Sequence, residues 1–187
     1  MSQVKGTCVK SVIEFGSKRG GGEKWKDILA ELKPEAQSLF SRAILPGDWY
    51  ALEAYHQLLV AMAKHLSGGD PKLGIEIGRK IMEDGLGGVY KVLLGTGLIS
   101  PKLIMSNANL LWKRYFDKEI LTIAEVDIRH VRIQVTAPIN PPKVYCHALL
   151  GGILQSLEMV GAKNTVGQEL NCRQTGSESC EFLVNWT

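Results

Sequence analysis

The sequence predicts an α+β fold: a helical front of about two thirds of the chain, then a β-β-α-β-β unit in which one helix covers an antiparallel sheet. Three observations predict it. Apolar residues recur at helical spacing from Cys8 to Phe116, in segments separated by Gly and Pro. The period then switches to two, with Val131, Ile133 and Val135 alternating against Arg132, Gln134 and Thr136. A single apolar stripe, Cys146, Leu149, Leu150, Ile153, Leu157 and Val160, lies between two pairs of strand-like segments.

The elements follow in order. Val9, Val12, Ile13 and Phe15 make an amphipathic helix over Cys8 to Lys18, which Gly20, Gly21 and Gly22 stop. Lys24 to Leu32 is a second short helix, ended by Lys33-Pro34, and Pro34 opens a third through Phe40. Asp48 reads as the N-cap of a helix over Trp49 to Leu66, with Leu52, Tyr55, Leu59 and Met62 on one face. Ser67-Gly68-Gly69 breaks it, Asp70-Pro71 starts the next, and that one runs to Gly85. An apolar helix is expected at Val89 to Leu94, and another from Ser100-Pro101 to Trp112, Tyr115 and Phe116. Ile120 to Val126 is the hairpin partner of the Val131 strand, and Pro138 to Pro142 is a linker. Tyr145 to Val160 is the covering helix, ended by Gly161. Asn164 to Leu170 and Glu181 to Trp186 are the last two strands. No linker is long enough to divide the chain, so residues 1–187 read as one domain.

Composition narrows the function. Hydrophobic residues are 45% and charged residues 22%, and the net charge is only +3 with basic and acidic residues interspersed, so neither nucleic acid nor a membrane is the expected partner. No window approaches the ~18 apolar residues of a membrane span, and Lys5, Lys10, Glu14 and Lys18 interrupt the first twenty residues where a signal peptide would need an apolar stretch. A cytoplasmic location is the expectation, and there cysteines are more often free, catalytic or metal-bound than paired.

The chemistry concentrates in the last forty-odd residues. Cys146 is followed by Glu169 and then by Cys172 and Cys180 in an E-x2-C-x7-C pattern. Three thiolates and a carboxylate form a complete four-coordinate set for zinc. Cys180 shares a strand face with Phe182, Val184 and Trp186, and Cys146 lies on the stripe that should cover that face. Glu169 and Cys172 fall on opposite faces of a straight strand, so the strand must bend or end between them. Three plainer readings stand beside this one: buried core cysteines, a Cys172–Cys180 disulfide in the hairpin, and a three-cysteine site completed by water or His147 while Glu169 is solvated.

The spacing resembles the zinc site of V4R (4-vinyl reductase) domains, including the sensor domains of phenol- and xylene-responsive bacterial regulators. Val4-Lys5-Gly6, the segment from Trp49 to Tyr55, and Gly176 through Trp186 are similar, over nearly the whole chain, to a family of mainly myxobacterial and deltaproteobacterial proteins. The resemblance implies a wider ligand-binding fold shared with haem nitric-oxide sensors and a vesicle-tethering subunit. It further implies a non-catalytic sensor or adaptor with structural zinc, a small apolar or aromatic ligand, protein partners and a homodimer to which the N-terminal segment contributes. Trp49, Tyr50, Tyr55, Trp112, Tyr115 and Phe116 are the expected lining of a ligand cavity of about 300 Å³ or more, although plain aromatic core explains them equally well. The haem sensors use a proximal His and Tyr-x-Ser-x-Arg; the latter is missing here, which leaves His56, His65, His130 and His147 unassigned. Gly85 to Tyr90 lacks the last glycine of a dinucleotide fingerprint, and Arg19 to Lys24 lacks the end of a phosphate loop. Two other functions remain: an interaction scaffold with a filled interior, and an enzyme acting on a vinyl or aromatic compound.

Overall fold

The computed structural model describes residues 2–86 and 99–187. The expected helix at Val89 to Leu94, and Gly87 to Tyr90 of the glycine-rich run, lie outside the described residues.

Strand β1, Gln3–Lys5, leads into α1, Gly6–Ala30. Gly21 breaks α1 at φ 70° and ψ 179°, so the two helices expected on either side of the triple glycine are both present. That φ favours glycine because it has no Cβ to clash. Helix α2, Pro34–Phe40, starts with its proline in the first turn, where the missing N–H costs nothing.

The next expectation needs correction. Trp49–Ala51 is not the start of a helix but a strand, β2, and α3 begins after it at Leu52 and runs to Ser67. Asp48 therefore does not cap α3; Ala51 occupies that position, and Asp48 O instead accepts from Gly6 N at the start of α1 at 2.9 Å. The reason is tertiary: β2 pairs antiparallel with β1, Val4 opposite Tyr50, and both side chains are buried. The pairing satisfies backbone groups that a helical Trp49–Ala51 would leave open on β1. The same contacts correct the expectation that the N-terminal segment crosses to a partner. Leu52 N donates to Ser2 O at 2.9 Å, Lys5 N donates to Tyr115 O at 2.8 Å, and Val4 bridges Phe116. The segment is stitched into its own chain.

Helix α4 spans Leu73–Gly85, and the Asp70 carboxylate accepts from Lys72 N at 2.9 Å in the turn before it. Helix α5, Pro101–Ser106, has Ser100 as a true N-cap, its hydroxyl accepting from Leu103 N; α6, Ala108–Trp112, follows after Asn107. Then come β3, Ile120–Val126, β4, His130–Thr136, α7, Lys143–Met159, β5, Val166–Asn171, a 3-10 turn at Arg173–Thr175, and β6, Cys180–Asn185. The four strands form one antiparallel sheet in the order β3-β4-β6-β5, so the predicted β-β-α-β-β unit is present behind a helical front.

Val131, Ile133 and Val135 of β4 and Phe182 and Val184 of β6 bury one face of the sheet, while Cys146, Leu150, Ile153 and Leu157 of α7 are also buried. The other side of α7 meets α4 through glycines. A Cβ on Gly74 would lie 2.1 Å from Val144 O, one on Gly78 1.8 Å from Ala148 O, and one on Gly151 2.1 Å from Ile75 O. The two backbones are in contact, which only hydrogen-sized side chains permit. This seam fixes α7, the helix that carries Cys146.

Candidate metal centre and adjoining cavity

Cys146, in the first turn of α7, faces Cys180 at the start of β6. Their sulfurs are 3.6 Å apart, and Cys146 Sγ is 4.0 Å from Cys172 Sγ. One ligand atom each from Cys146, Glu169, Cys172 and Cys180 lies within 4.8 Å of the others. A tetrahedral zinc with Zn–S near 2.3 Å holds its sulfurs about 3.8 Å apart, so the cluster already has the required spacing. All four cysteines are free, so the disulfide between Cys172 and Cys180 does not form.

The geometric problem posed by Glu169 and Cys172 is solved by a bulge. Glu169 pairs with Phe182 and Asn171 with Glu181, with the register shifting between them. The irregularity brings Glu169 and Cys172 to the same site. Beyond it, Cys172 O accepts from Thr175 N at 3.0 Å, Thr175 Oγ1 at 2.8 Å and Ser177 N at 3.3 Å, which folds the loop back toward Cys180.

Two cations brace the site. The Lys143 ammonium donates to Glu169 Oε2, which leaves Oε1 buried and without a partner. Arg173 N donates to Cys180 Sγ at 3.5 Å, and its guanidinium donates to Ala137 O and Ile139 O, tying the loop to the linker before α7. Four anionic donors around a divalent ion sum to a charge of about −2, and Lys143 offsets part of it. Hydrogen bonding from the Cys146 thiol, helped by Arg173 N–H, pulls the Cys180 pKa down to about 6, while the same bond pushes Cys146 up. Burial raises Cys172. Cys180 is thus the first thiolate available to a metal. Lys143 was not singled out in the sequence, although it stands one turn before Cys146 on the same helix face. His147 is not part of the cluster; its Nδ1 is buried without a partner.

A cavity of about 100 Å³ adjoins Tyr145, the neighbour of Cys146. Tyr55, Trp112, Tyr115 and Phe116 line it, as does Tyr145 itself. Trp49 and Tyr50 do not. Trp49 is on β2, about a third exposed (37%), with Lys5 Nζ 4.5 Å above its ring, and the Tyr50 hydroxyl accepts from Leu45 N at 2.8 Å. Both were placed on a helix face that the β1–β2 pairing removes. The rings crowd one another, Trp112 and Phe116 at 4.4 Å and Phe116 edge-on to Tyr145 at 6.1 Å, so the space is smaller than the expected ~300 Å³. Behind Tyr145 lies Glu119, which sequence reading missed. Tyr145 donates to its Oε2, Trp112 Nε1 donates to its backbone oxygen at 3.2 Å, and Oε1 has no partner. Burial pushes the Glu119 pKa up to about 8.

No model of a protein family matches the chain, and no curated protein matches it. Solved structures do. An H-NOX protein from S. oneidensis in the Fe(II)NO state is 12% identical, with a TM-score of 0.72 over 98% of this chain and 99% of that one. The Fe(II) unliganded H-NOX protein from K. algicida is 14% identical, with a TM-score of 0.71 over 98% and 96%. An H-NOX domain from Shewanella oneidensis in the Fe(II)CO state is 13% identical, with a TM-score of 0.64 over 98% of each. The chain has the H-NOX fold.

Those structures carry ferrous iron by name, which raises haem as a cofactor for the fold. The described lining does not fit it. Haem needs an axial His, thiolate, Met or phenolate and, for its propionates, cations. The described lining offers Met82 and Met105 as axial candidates, while burial keeps Tyr55 and Tyr145 as neutral phenols; no histidine is there, and no arginine or lysine meets the propionates. The one cysteine there, Cys8, has its pKa pushed up to about 12 by burial, so it is a neutral thiol. A porphyrin is also far larger than a cavity of about 100 Å³.

Proposed function

We infer that the protein is a non-catalytic sensor or adaptor domain, of V4R type within the H-NOX fold, built around a structural zinc bound by Cys146, Glu169, Cys172 and Cys180. The observation that carries this reading is the set of four donor atoms within 4.8 Å, two sulfurs of it 3.6 Å apart, drawn from α7, β5, the loop after β5 and β6. Zinc there cross-links α7 to the β5–β6 hairpin. Four protein donors leave no open position for an activated water, which favours a structural over a hydrolytic role. Lys143 holds Glu169 in place and Arg173 holds the loop, as outer groups commonly orient metal ligands.

The input is a small apolar molecule in the cavity beside Tyr145. At about 100 Å³ the cavity suits a ligand of a few heavy atoms. The output is protein contact, in a cytoplasmic homodimer. The crowding of the aromatic rings also supports a second reading, an interaction scaffold that takes no ligand.

Elemental analysis combined with native mass spectrometry tests these points together. One zinc per chain, a dimer mass and a retained small molecule are expected. Metal-free protein whose unfolding ignores chelator would refute the zinc centre; a mass for the monomer alone at micromolar concentration would refute the dimer. Absence of any small-molecule stabilisation would favour the scaffold.

A further inference from the structure

The dimer of the proposed function needs a surface, and the N-terminal segment does not supply one, because it is bonded into its own chain. An open strand edge is the part of a sheet most ready to pair with another chain. The edges of the four-stranded sheet are β3 and β5.

The β5 edge is free along its length. Among the described residues, no backbone N–H or C=O of residues 166–171 is hydrogen-bonded outside the pairing with β6. Leu170, the residue left over by the bulge, has no opposite number on β6 either. The strand holds neither Pro nor Lys, two residues that commonly blunt an edge. Its one charge, Glu169, is turned inward to the four-donor cluster and tied to Lys143, so it does not confront a strand arriving from the side.

Alternation sets the outward side chains. Val166 is 67% exposed, Gln168 is exposed and Leu170 is 40% exposed. An exposed apolar residue therefore stands two places to either side of a carboxamide, and that arrangement is its own complement. In an antiparallel pair about a two-fold axis centred on Gln168, Val166 of each copy faces Leu170 of the other, Gln168 faces Gln168, and Gly167 faces Glu169. Centred one residue later, two Glu169 side chains oppose one another, and like charges directly opposite are destabilising. Centred one residue earlier, Val166 faces Gln168 and the apolar match is lost. The other edge offers no such match. On β3 the exposed Ile120 is followed on its face by Thr122, and a bulge between Ile123 and Glu125 then breaks the phase.

We propose that two copies of this chain join β5 to β5, antiparallel and centred on Gln168, so that their two four-stranded sheets become one continuous sheet. The proposal rests on the homodimer reading and names its surface.

The test is sedimentation equilibrium on the full chain as purified, across the micromolar range. Val166→Lys and Leu170→Glu, both at exposed positions, should each raise the dimer dissociation constant at least tenfold while the circular dichroism spectrum and the metal content stay those of the parent. An equimolar mixture of the two variants should associate again. In this register the new lysine of one chain meets the new glutamate of the other, and the second Val166–Leu170 contact is unaltered. A parent that is monomeric throughout would overturn the pairing together with the dimer reading, and would leave the edge to a different chain. A parent dimer untouched by Val166→Lys would overturn the pairing alone. Variants that dissociate and stay apart when mixed would overturn the register, and with it the pairing proposed.

Discussion

Gly78→Ala tests whether α4 and α7 are held in backbone contact. The added Cβ would lie 1.8 Å from Ala148 O, 2.7 Å from Ala148 C and 2.8 Å from Gly152 N, all main-chain atoms of α7. An ordinary carbon–oxygen contact is about 3.3 Å or longer, so the helices must part locally by roughly 1.5 Å. No rotamer can relieve a clash with backbone. Parting also loosens the neighbouring contacts at Gly74 and Gly151. Overpacking usually costs about 1–3 kcal/mol, and a clash with main chain belongs at the upper end or beyond. The helix-propensity gain of Ala over Gly returns about 1 kcal/mol. A net loss of about 2 kcal/mol or more is expected, which for a domain of this size lowers the melting temperature by about 4–8 °C. Thermal unfolding followed by circular dichroism, with urea melts to check that m is unchanged, measures it. Gly22→Ala is the control: nothing lies within 4 Å of its Cβ and its φ is not positive, so it should be neutral or stabilising by up to about 1 kcal/mol. A Gly78→Ala protein melting within about 2 °C of the parent would refute the close-contact seam.

Three further outcomes are expected. Cys180→Ser should lose the bound zinc and its stabilisation, about 4 kcal/mol where free zinc exceeds the dissociation constant a thousandfold, and chelator should then leave its melting curve unchanged. Glu119, with its pKa raised from 4.5 to about 8, stays protonated in the native state while the unfolded state ionises. Its stabilisation is therefore full below pH 4.5 and is lost by about tenfold in the folding constant per pH unit up to pH 8; Glu119→Gln should flatten urea midpoints across that window. Haemin or ferrous haem added to the protein should give no stoichiometric complex by absorption spectroscopy, since the described cavity lining offers no cation for the propionates and a space of only about 100 Å³; a saturable one-to-one complex would contradict that fit.

What could be read in advance was whatever one segment specifies by itself. The stripe from Cys146 to Leu157 and the alternation through Val135 and Val184 each mark a buried face without reference to other elements. The pair Glu169 and Cys172 went further: their opposed phases required an interruption of the strand, and the bulge between Glu169 and Asn171 supplies it. Strand β2 was illegible for the opposite reason. Three residues carry no period of their own, the helical phase of Leu52, Tyr55 and Leu59 runs on past them, and β2 exists only because Val4, far earlier in the chain, lies opposite Tyr50. That one miss displaced Trp49 and Tyr50 from the cavity. Glu119 was hidden too, between Lys118 and Ile120, where a carboxylate looks solvated; its burial comes from Trp112 and Tyr145, which reach it from two other elements.

The proposed zinc and the proposed small ligand meet at one turn of one helix. Successive helical residues point about 100° apart, so Cys146 is directed at β6 while Tyr145 is directed at the cavity and Glu119. Glycine contacts with α4 leave α7 no room to slide as a rigid rod, because Ala148 O and Val144 O already touch the α4 backbone. A change of cavity contents must therefore be taken up locally, by rotation of the first turn or by the Tyr145–Glu119 pair. Rotation of that turn shifts Cys146 relative to Cys172 and Cys180, whereas a swing of the Tyr145 and Glu119 side chains alone leaves it in place. Zinc favours one placement of that turn, and a ligand that favours the same placement tightens zinc by the factor by which zinc tightens the ligand. A ligand indifferent to Tyr145 would shift nothing, however firmly it bound. In the proposed sensor the proposed metal is thus the reference against which the cavity is read, and the first turn of α7 is the element through which the two sites would influence one another.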